Sequence, residues 1–260
     1  MKLTSIYRFV RWELIKVERS ILEIYDKNTW KPKRRIDFDH LMNDLGKSKD
    51  FFFIQIGAND GLTGDTLNQY IKKFKWTGIL VEPVPYVFEM LKINYKDFGN
   101  LIFENIAIGI ENGMLPFYSI CEYNSSGIKH RELTNGYPSD HLGSFDLKTL
   151  SNHIWMLNEN ACNIEVINVP TITLNDLFYK HSVKNLNLLQ IDAEGYDFQI
   201  LNNTNFNDLK PLILIFERIH LARKEYKVLV KKLKVYGYQL FINGYDTICI
   251  LKSEKQLNSN

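Results

Sequence analysis

Several acidic residues in this sequence stand at the ends of short apolar runs, where a strand would hand a carboxylate to the edge of a sheet. The clearest case is Leu188-Leu189-Gln190-Ile191-Asp192-Ala193-Glu194-Gly195-Tyr196-Asp197, in which three acids arrive within six residues. Carboxylates grouped in this way can act as a general base, bind a metal or orient a substrate hydroxyl. Asp197 also suits the first turn of a helix, where the dipole favours an acid by about 0.3–1 kcal/mol, and that is the preferred reading for it. Asp192 and Glu194 have no such explanation. Glu217 ends a second run, Leu212–Phe216, and is followed by Arg218 and His220. If the two runs are neighbouring parallel strands, their acidic ends converge. Four acids and a histidine at one edge leave a divalent cation as an option, but the spacing is not a metal signature and no metal ligands are assigned.

Two further blocks look like ligand-binding loops. Ile54-Gln55-Ile56-Gly57-Ala58-Asn59-Asp60-Gly61 is a strand ending in a glycine-bearing turn before a helix. Glycines allow close backbone approach, and a helix N-terminus favours negative charge. A dinucleotide fingerprint would need glycine at 57, 59 and 62, whereas the chain has Asn59 and Leu62. That counts against a nicotinamide cofactor. Ile79-Leu80-Val81-Glu82-Pro83 then places an acid at the end of a second strand, 21 residues after Gly61. A carboxylate there can accept hydrogen bonds from both ribose hydroxyls of an adenosine. Charge-assisted bonds of this kind contribute about 1.5–3 kcal/mol each. A helix-capping or surface glutamate is the alternative.

These residues need a scaffold, and the sequence suggests one. Phe51–Ile56, Gly78–Val81, Leu101–Ile106, Leu186–Ile191 and Leu212–Phe216 read as buried parallel strands. Helices fit Gly64–Phe74, Pro85–Tyr95, Asp197–Leu201 and Ala222–Tyr236. Tyr238–Ile242 and Thr247–Leu251, around Asn243-Gly244, read as a closing hairpin. Strands alternating with helices predict an α/β three-layer sandwich with a mostly parallel sheet and an antiparallel C-terminal hairpin. The stretch Cys121–Glu159 breaks this rhythm and is too long for a plain connection, as a substrate lid or specificity loop would be.

Ahead of the core, Leu3, Tyr7, Val10, Leu14, Val17, Ile21 and Ile24 form an apolar seam at helical spacing. Such a helix could lie on the main domain, pair with a second copy, or rest on anionic lipid. Residues 1–36 hold ten Lys or Arg against four Asp or Glu, a local excess of six that leaves the rest of this +2 chain at −4. A uniformly basic nucleic-acid binder is therefore disfavoured. The domain reading is an arm and basic hinge over 1–36, then one domain over 37–260 with an insertion at about 121–160. With 260 residues, 45% of them apolar, the chain can bury a sizeable core. The opening segment lacks a signal-peptide core, and no apolar run reaches the roughly 18–20 residues of a membrane span. Cys121, Cys162 and Cys249 fit neither a disulfide framework nor a zinc knuckle. A reducing, cytoplasmic setting, with contact at the inner membrane face through the first helix as a variant, is the expectation.

The ordered motifs resemble the FkbM family of S-adenosylmethionine-dependent methyltransferases. The matching elements are Phe53–Gly61, Val81-Glu82-Pro83, Asn105-Ile106-Ala107-Ile108-Gly109, Thr173-Leu174-Asn175-Asp176-Leu177 and Ile191–Asp197. The resemblance implies a Rossmann-like class I methyltransferase fold and methyl transfer from S-adenosylmethionine to a hydroxyl of a sugar in a glycan, glycolipid or related product. It implies that Gly57, Asn59 and Gly61 shape the pocket for the methionine part of the cofactor. Glu82 would hold the ribose, Asn105 and Ala107 would lie near the adenine, and Asp192 and Glu194 would face the transferred methyl. His141, Ser144, Glu217 and His220 are candidates for substrate contact or base. A sugar hydroxyl is protonated near neutral pH, so Asp192 or Glu194 is expected to take its proton, directly or through a bound cation. The rival readings are a nicotinamide-dependent oxidoreductase or epimerase and a non-catalytic scaffold. No aromatic-acid motif for a flipped base follows the Asp192 strand, which disfavours nucleic acid as substrate.

Overall fold

The computed structural model describes residues 36–48, 50–121, 142–151 and 164–252. The N-terminal helix, the basic hinge, His141, Cys162 and most of the 121–160 insertion lie outside the described residues.

The chain runs α1 (Phe38–Leu45), β1 (Phe52–Ile56), α2 (Asn68–Phe74), β2 (Thr77–Val81), α3 (Pro85–Asn94) and β3 (Leu101–Glu104). It continues through β4 (Ala107–Gly109), β5 (Gly113–Ile120), β6 (Gly143–Ser144), β7 (Ile164–Thr173) and α4 (Leu174–Lys180). It closes with β8 (Leu188–Ile191), α5 (Asp197–Asn203), β9 (Ile213–Glu217), α6 (Arg223–Val235), β10 (Tyr238–Asn243) and β11 (Asp246–Leu251).

Seven strands form the main sheet in the order β10-β11-β9-β8-β1-β2-β3. The five strands from β9 to β3 pair in parallel, and the expected C-terminal hairpin adds β11 and β10 antiparallel at one edge, its two-residue turn falling on Gly244-Tyr245, one residue later than Asn243-Gly244. Side-chain alternation along the central strands feeds both faces of the sheet, which is why they read as unbroken apolar runs. Ile54, Ile56, Leu189 and Leu214 pack with Leu177 of α4, Ile200 of α5 and Leu229 of α6. Phe53, Leu188 and Ile215 face the other way, onto Met42, Ile71 and Leu91 of α1, α2 and α3. The helix starts are set locally. Asp37 accepts from His40 N at 2.9 Å, and Thr173 accepts from Asp176 N at 3.1 Å.

A second sheet, in the order β4-β7-β5-β6, was not anticipated from the sequence. The expected strand Leu101–Ile106 stops at Glu104, and the chain turns at Asn105 to enter β4 in the new sheet. Strands β5 and β7 are mostly covered on one side only and carry Pro116, Asn168 and Pro170, so they lack the apolar runs that mark the central strands. Their buried residues Phe117 and Val169 pack on Val84 and Val87 of the β2–α3 region. Gly143 and Ser144 pair with Ser119 and Tyr118, so this part of the supposed loop insertion belongs to the sheet. No helix among the described residues is long and apolar enough to cross a membrane.

Phe216 is wholly buried where β9 meets α6, while Val235 at the end of α6 is 81% exposed. Phe216→Ala should therefore lower the urea-unfolding free energy by about 3–5 kcal/mol. Val235→Ala should stay within about 0.5 kcal/mol of the parent. Equal losses at the two positions would contradict this core.

Candidate functional site

A cleft opens at the carboxyl ends of β1, β2 and β8, the edge where open parallel sheets bind ligands. Its first wall is the turn after β1. Gly57 has φ +73°, and a Cβ placed there would lie 1.9 Å from the backbone oxygen of Asp192. Only glycine lets the turn pass so close to the end of β8, and the result is a cradle lined by bare backbone. Asn59 also takes a left-handed conformation, φ +52°, and its side-chain oxygen accepts from Asp60 N at 2.6 Å. The Asp60 carboxylate closes the next turn by accepting from Leu62 N and Thr63 N at 2.9 and 2.7 Å. Gly61 stands apart from the cleft. A Cβ there would strike the Tyr95 ring at 2.4 Å, so its role is to seat the loop against α3.

Glu82 lines the cleft at the end of β2 and is almost fully buried. Its two carboxylate oxygens accept from Asn59 N at 3.0 Å and Val84 N at 2.9 Å. It therefore ties the turn after β1 to the start of α3, the capping alternative, while still facing the cleft. Burial pushes its pKa up to about 8, against the two N–H donors and with the charges of Asp192 and Asp60 adding to the rise. Asn105 is not at the cleft surface. Its amide donates to the backbone oxygens of Glu82 and Pro83 at 2.8 and 3.1 Å, so it holds the loop that carries Glu82. Ala107, beside it on β4, does line the cleft.

The acids at the ends of β8 and β9 converge as expected from neighbouring parallel strands. Asp192 sits on the cleft floor, its backbone N–H bonded to Ile56 O at 3.0 Å. Its side chain stays open to the cleft, yet the desolvation by the protein packed around it and the charge of Asp65 raise its pKa to about 6, opposed by a hydrogen bond from Glu194 N. Glu194 is held at φ +46°, and it also reaches the cleft. His220 Nε2 lies 3.6 Å from Glu194 Oε2 and 3.4 Å from Glu217 Oε2. One ligand atom from each of these three residues falls within 4.8 Å of the others, a donor set that could hold a divalent cation. Burial, then Asp192, Glu194, Asp197 and Asp246, raise Glu217 to about 11. Burial and the Asp192 charge push Glu194 well up.

Two sequence readings change here. Asp197 does open α5, yet it is wholly buried, and its carboxylate accepts from Ala193 N and Glu217 N, both at 3.2 Å. It is a brace between the ends of β8 and β9 rather than a first-turn acid alone. Ser144 does not face the cleft. Its hydroxyl donates to Glu194 O at 2.8 Å and accepts from Asp146 N at 2.9 Å, so it supports the Glu194 loop. The sequence reading also missed residues. Gln55, Asp65 and Gln190 line the floor, and Phe117 and Phe145 cover it from the second sheet. Asp246 joins the acidic group from β11, raised to about 7 by burial and Asp192, against Arg218. The two glutamines lay inside strand strings, Phe117 in a strand that went unread and Phe145 just after another, while Asp65 carries no spacing signal.

A topological switch-point cleft with a glycine turn, an acid after β2 and acids after β8 is the arrangement of a Rossmann-like methyltransferase. The family model described as the methyltransferase FkbM domain matches residues 55–240, and the chain belongs to that family. No curated protein matches the sequence with significance. Among solved structures, the METTL16 MTase domain aligns over 84% of this chain and 67% of its own, with TM-score 0.44 and 11% identity. The fibrillarin/Nop5p complex aligns over 78% and 73%, with TM-score 0.38 and 12% identity. Precorrin-6y C5,15-methyltransferase from Geobacter metallireducens GS-15 aligns over 84% and 93%, with TM-score 0.37 and 8% identity.

The raised carboxylates make stability depend on pH. The folded chain keeps protons at Asp192, Asp246 and Glu82 that the unfolded chain releases above its ordinary values of 3.8 and 4.5. Their contribution is full below those values and is lost as pH rises through about 6, 7 and 8. The urea midpoint should therefore fall between pH 6 and pH 8.5, and Asp246→Asn should shrink that fall. A midpoint that climbs across this interval would contradict the assignment.

Proposed function

We propose that this chain is an S-adenosylmethionine-dependent O-methyltransferase whose acceptor is a hydroxyl of a sugar in a glycan, glycolipid or related product. The observation that carries the reading is the juxtaposition of the Gly57 cradle and Glu82 with Asp192 and Glu194 across one cleft, His220 standing behind Glu194. The cofactor would supply a methyl group already activated on a sulfonium.

The chain's own residues have three tasks. The bare backbone at Gly57 admits a ligand close to the sheet edge, and Glu82 faces the cleft where ribose hydroxyls would be held. The carboxylates lining the floor suit a ligand that carries positive charge. Acceptor and methyl must then be aligned, and positioning of this kind can supply roughly 7–11 kcal/mol of a barrier. The sugar hydroxyl must lose its proton as its oxygen attacks. Asp192, raised to about 6 by desolvation and the charge of Asp65, stays ionised near neutral pH and is a stronger base than an ordinary carboxylate, with Glu194 sharing the same cleft. Phe117 and Phe145 cover this chemistry and help exclude water. An arm that pairs two copies or docks on anionic lipid, in a cytoplasmic enzyme acting at the inner membrane face, completes the reading.

Calorimetry with S-adenosylmethionine, S-adenosylhomocysteine and NAD is the direct test. The first two should bind in the micromolar range and NAD should not, with binding lost in Glu82→Ala while circular dichroism stays native. Binding of NAD alone would move the chain to the oxidoreductases. With a sugar acceptor in hand, Asp192→Asn and Glu194→Gln should each lower turnover by about 10²–10⁴-fold, far more than they weaken cofactor binding. Near-normal rates in both variants would remove them from the chemistry.

A further inference from the structure

Helix α6 carries a charge pattern that nothing inside the protein uses. Arg223, Lys224, Lys227, Lys231 and Lys234 are all exposed. At the helical rotation per residue they share an arc of about 100°, and no acid stands among them. The remaining cation of the helix, Lys232, turns inward. Its Nζ donates to the backbone oxygens of Leu201, Asn202 and Thr204 at 2.9, 2.7 and 2.8 Å. Glu225, the one acid of the helix, is engaged at its start, where it accepts from Ala222 N at 2.8 Å. Val228 and Val235, 46% and 81% exposed, border the cationic arc along one side.

Local physics disfavours this arrangement. The helix dipole favours cations in the last turn, which suits Lys234, but it opposes Arg223 and Lys224 in the first turn. Lys224 with Lys227, Lys227 with Lys231, and Lys231 with Lys234 are like charges three or four residues apart, and each pair repels. Among the described residues none of the five outward cations has an ion pair, whereas Lys47, Lys92 and Lys180 pair with Asp44, Glu89 and Glu104. A fold keeps a self-repelling row of cations where something outside it supplies the opposite charge. The row is about 18 Å long, so its complement is an extended surface dense in negative charge. The two valines sort the candidates. A polynucleotide is gripped by cations with interleaved aromatic rings, and this arc carries none. Aliphatic side chains beside cations fit a lipid headgroup layer, where the cations meet phosphates and the apolar side chains reach the acyl boundary.

We propose that the outward face of α6 docks the chain on a membrane surface rich in anionic lipid. The surface belongs to the methyltransferase domain itself, so it needs neither residues 1–36 nor the cofactor reading. Strand β9 runs parallel to β8 and ends at Glu217, and α6 begins six residues later. The helix therefore starts at the sheet edge that opens the cleft, and a membrane lying along α6 meets the domain beside that edge.

The test is sedimentation of the full chain with mixed vesicles of phosphatidylglycerol and phosphatidylcholine, and with vesicles of phosphatidylcholine alone. One triple variant, Lys224→Gln with Lys227→Gln and Lys231→Gln, removes three cations from the arc. Its control, Lys75→Gln with Lys92→Gln and Lys96→Gln, removes three exposed lysines around α2 and α3, on the opposite face of the sheet. The two variants match in net charge, glutamine keeps the helix propensity of lysine, and circular dichroism verifies both folds. The parent should bind the mixed vesicles and not the neutral ones. The α6 variant should lower the partition coefficient about a hundredfold, at the usual worth of a cation near an anionic surface, and the control by less than about threefold. A parent that ignores the mixed vesicles would overturn the proposal. Equal losses in the two variants would reduce it to net charge, and an α6 variant that binds like the parent would place docking elsewhere on the chain, so either result overturns it too. Duplex RNA is the remaining arm. RNA binding that the α6 variant loses, from a parent that ignores vesicles, would assign the face to nucleic acid instead.

Discussion

The approach of the Gly57 backbone to the carbonyl of Asp192 is the contact on which the site depends. It requires a residue without a Cβ at φ +73°, because a methyl group there would overlap the Asp192 oxygen. It also requires β1 and β8 to be neighbours in register, with Ile56 opposite Ile191. From that one contact follow the open cradle at the head of the sheet, the place of Asp192 on the cleft wall, and the position of Glu82 one strand away. Glu82 reinforces it by accepting N–H groups from both the Gly57 loop and the start of α3. Asn105 fixes the loop that carries Glu82.

Negative charge is the second constraint. Asp192, Glu194, Asp197, Glu217 and Asp246 approach one another from three strand ends and the loop and helix that follow β8, and each is pushed toward its protonated form. Like charges held in a desolvated place are unfavourable for the fold, and a fold keeps them where a bound partner or a proton-transfer step uses them. Braces such as Asp197, which receives backbone N–H groups from two strand ends, keep the group from relaxing apart. The same crowding raises Asp192 only to about 6, so it stays ionised near neutral pH and is more basic than an ordinary carboxylate. It also suits a cleft whose ligand brings positive charge.

The second sheet gives the cleft its far wall. Phe117 on β5 and Phe145 after β6 meet edge to face, with centroids 4.9 Å apart, and Phe145 lies 4.7 Å from the Tyr196 ring on the loop that bears Glu194. Ser144 bonds the backbone of that same loop. The segment that interrupts the regular alternation of strands and helices is thus coupled directly to the acids beneath it. A substitution in β5 or β6 would be transmitted to the Glu194 loop through packing and one hydroxyl.

The sequence by itself determined the central parallel strands, the helices that follow them, the closing hairpin and the family. Those features are local: unbroken apolar runs for strands buried on both faces, helical periodicity, an Asn-Gly turn, and motif strings in a fixed order. It also indicated which acids stand at strand ends, because a run that stops at a carboxylate is visible in one dimension. Only the tertiary structure decided what those residues touch. Glu82 turned out to brace two loops as well as face the cleft, Asn105 and Ser144 proved to be supports, and Asp197 became a bridge between strands. Strands β5 and β7 stayed unread because a strand covered on one side, interrupted by Pro and Asn, leaves no continuous apolar signal. Gln55, Asp65, Gln190 and Asp246 stayed unread for a different reason. Their meaning lies in a shared location reached from strands and loops far apart in sequence, and no spacing along the chain encodes that.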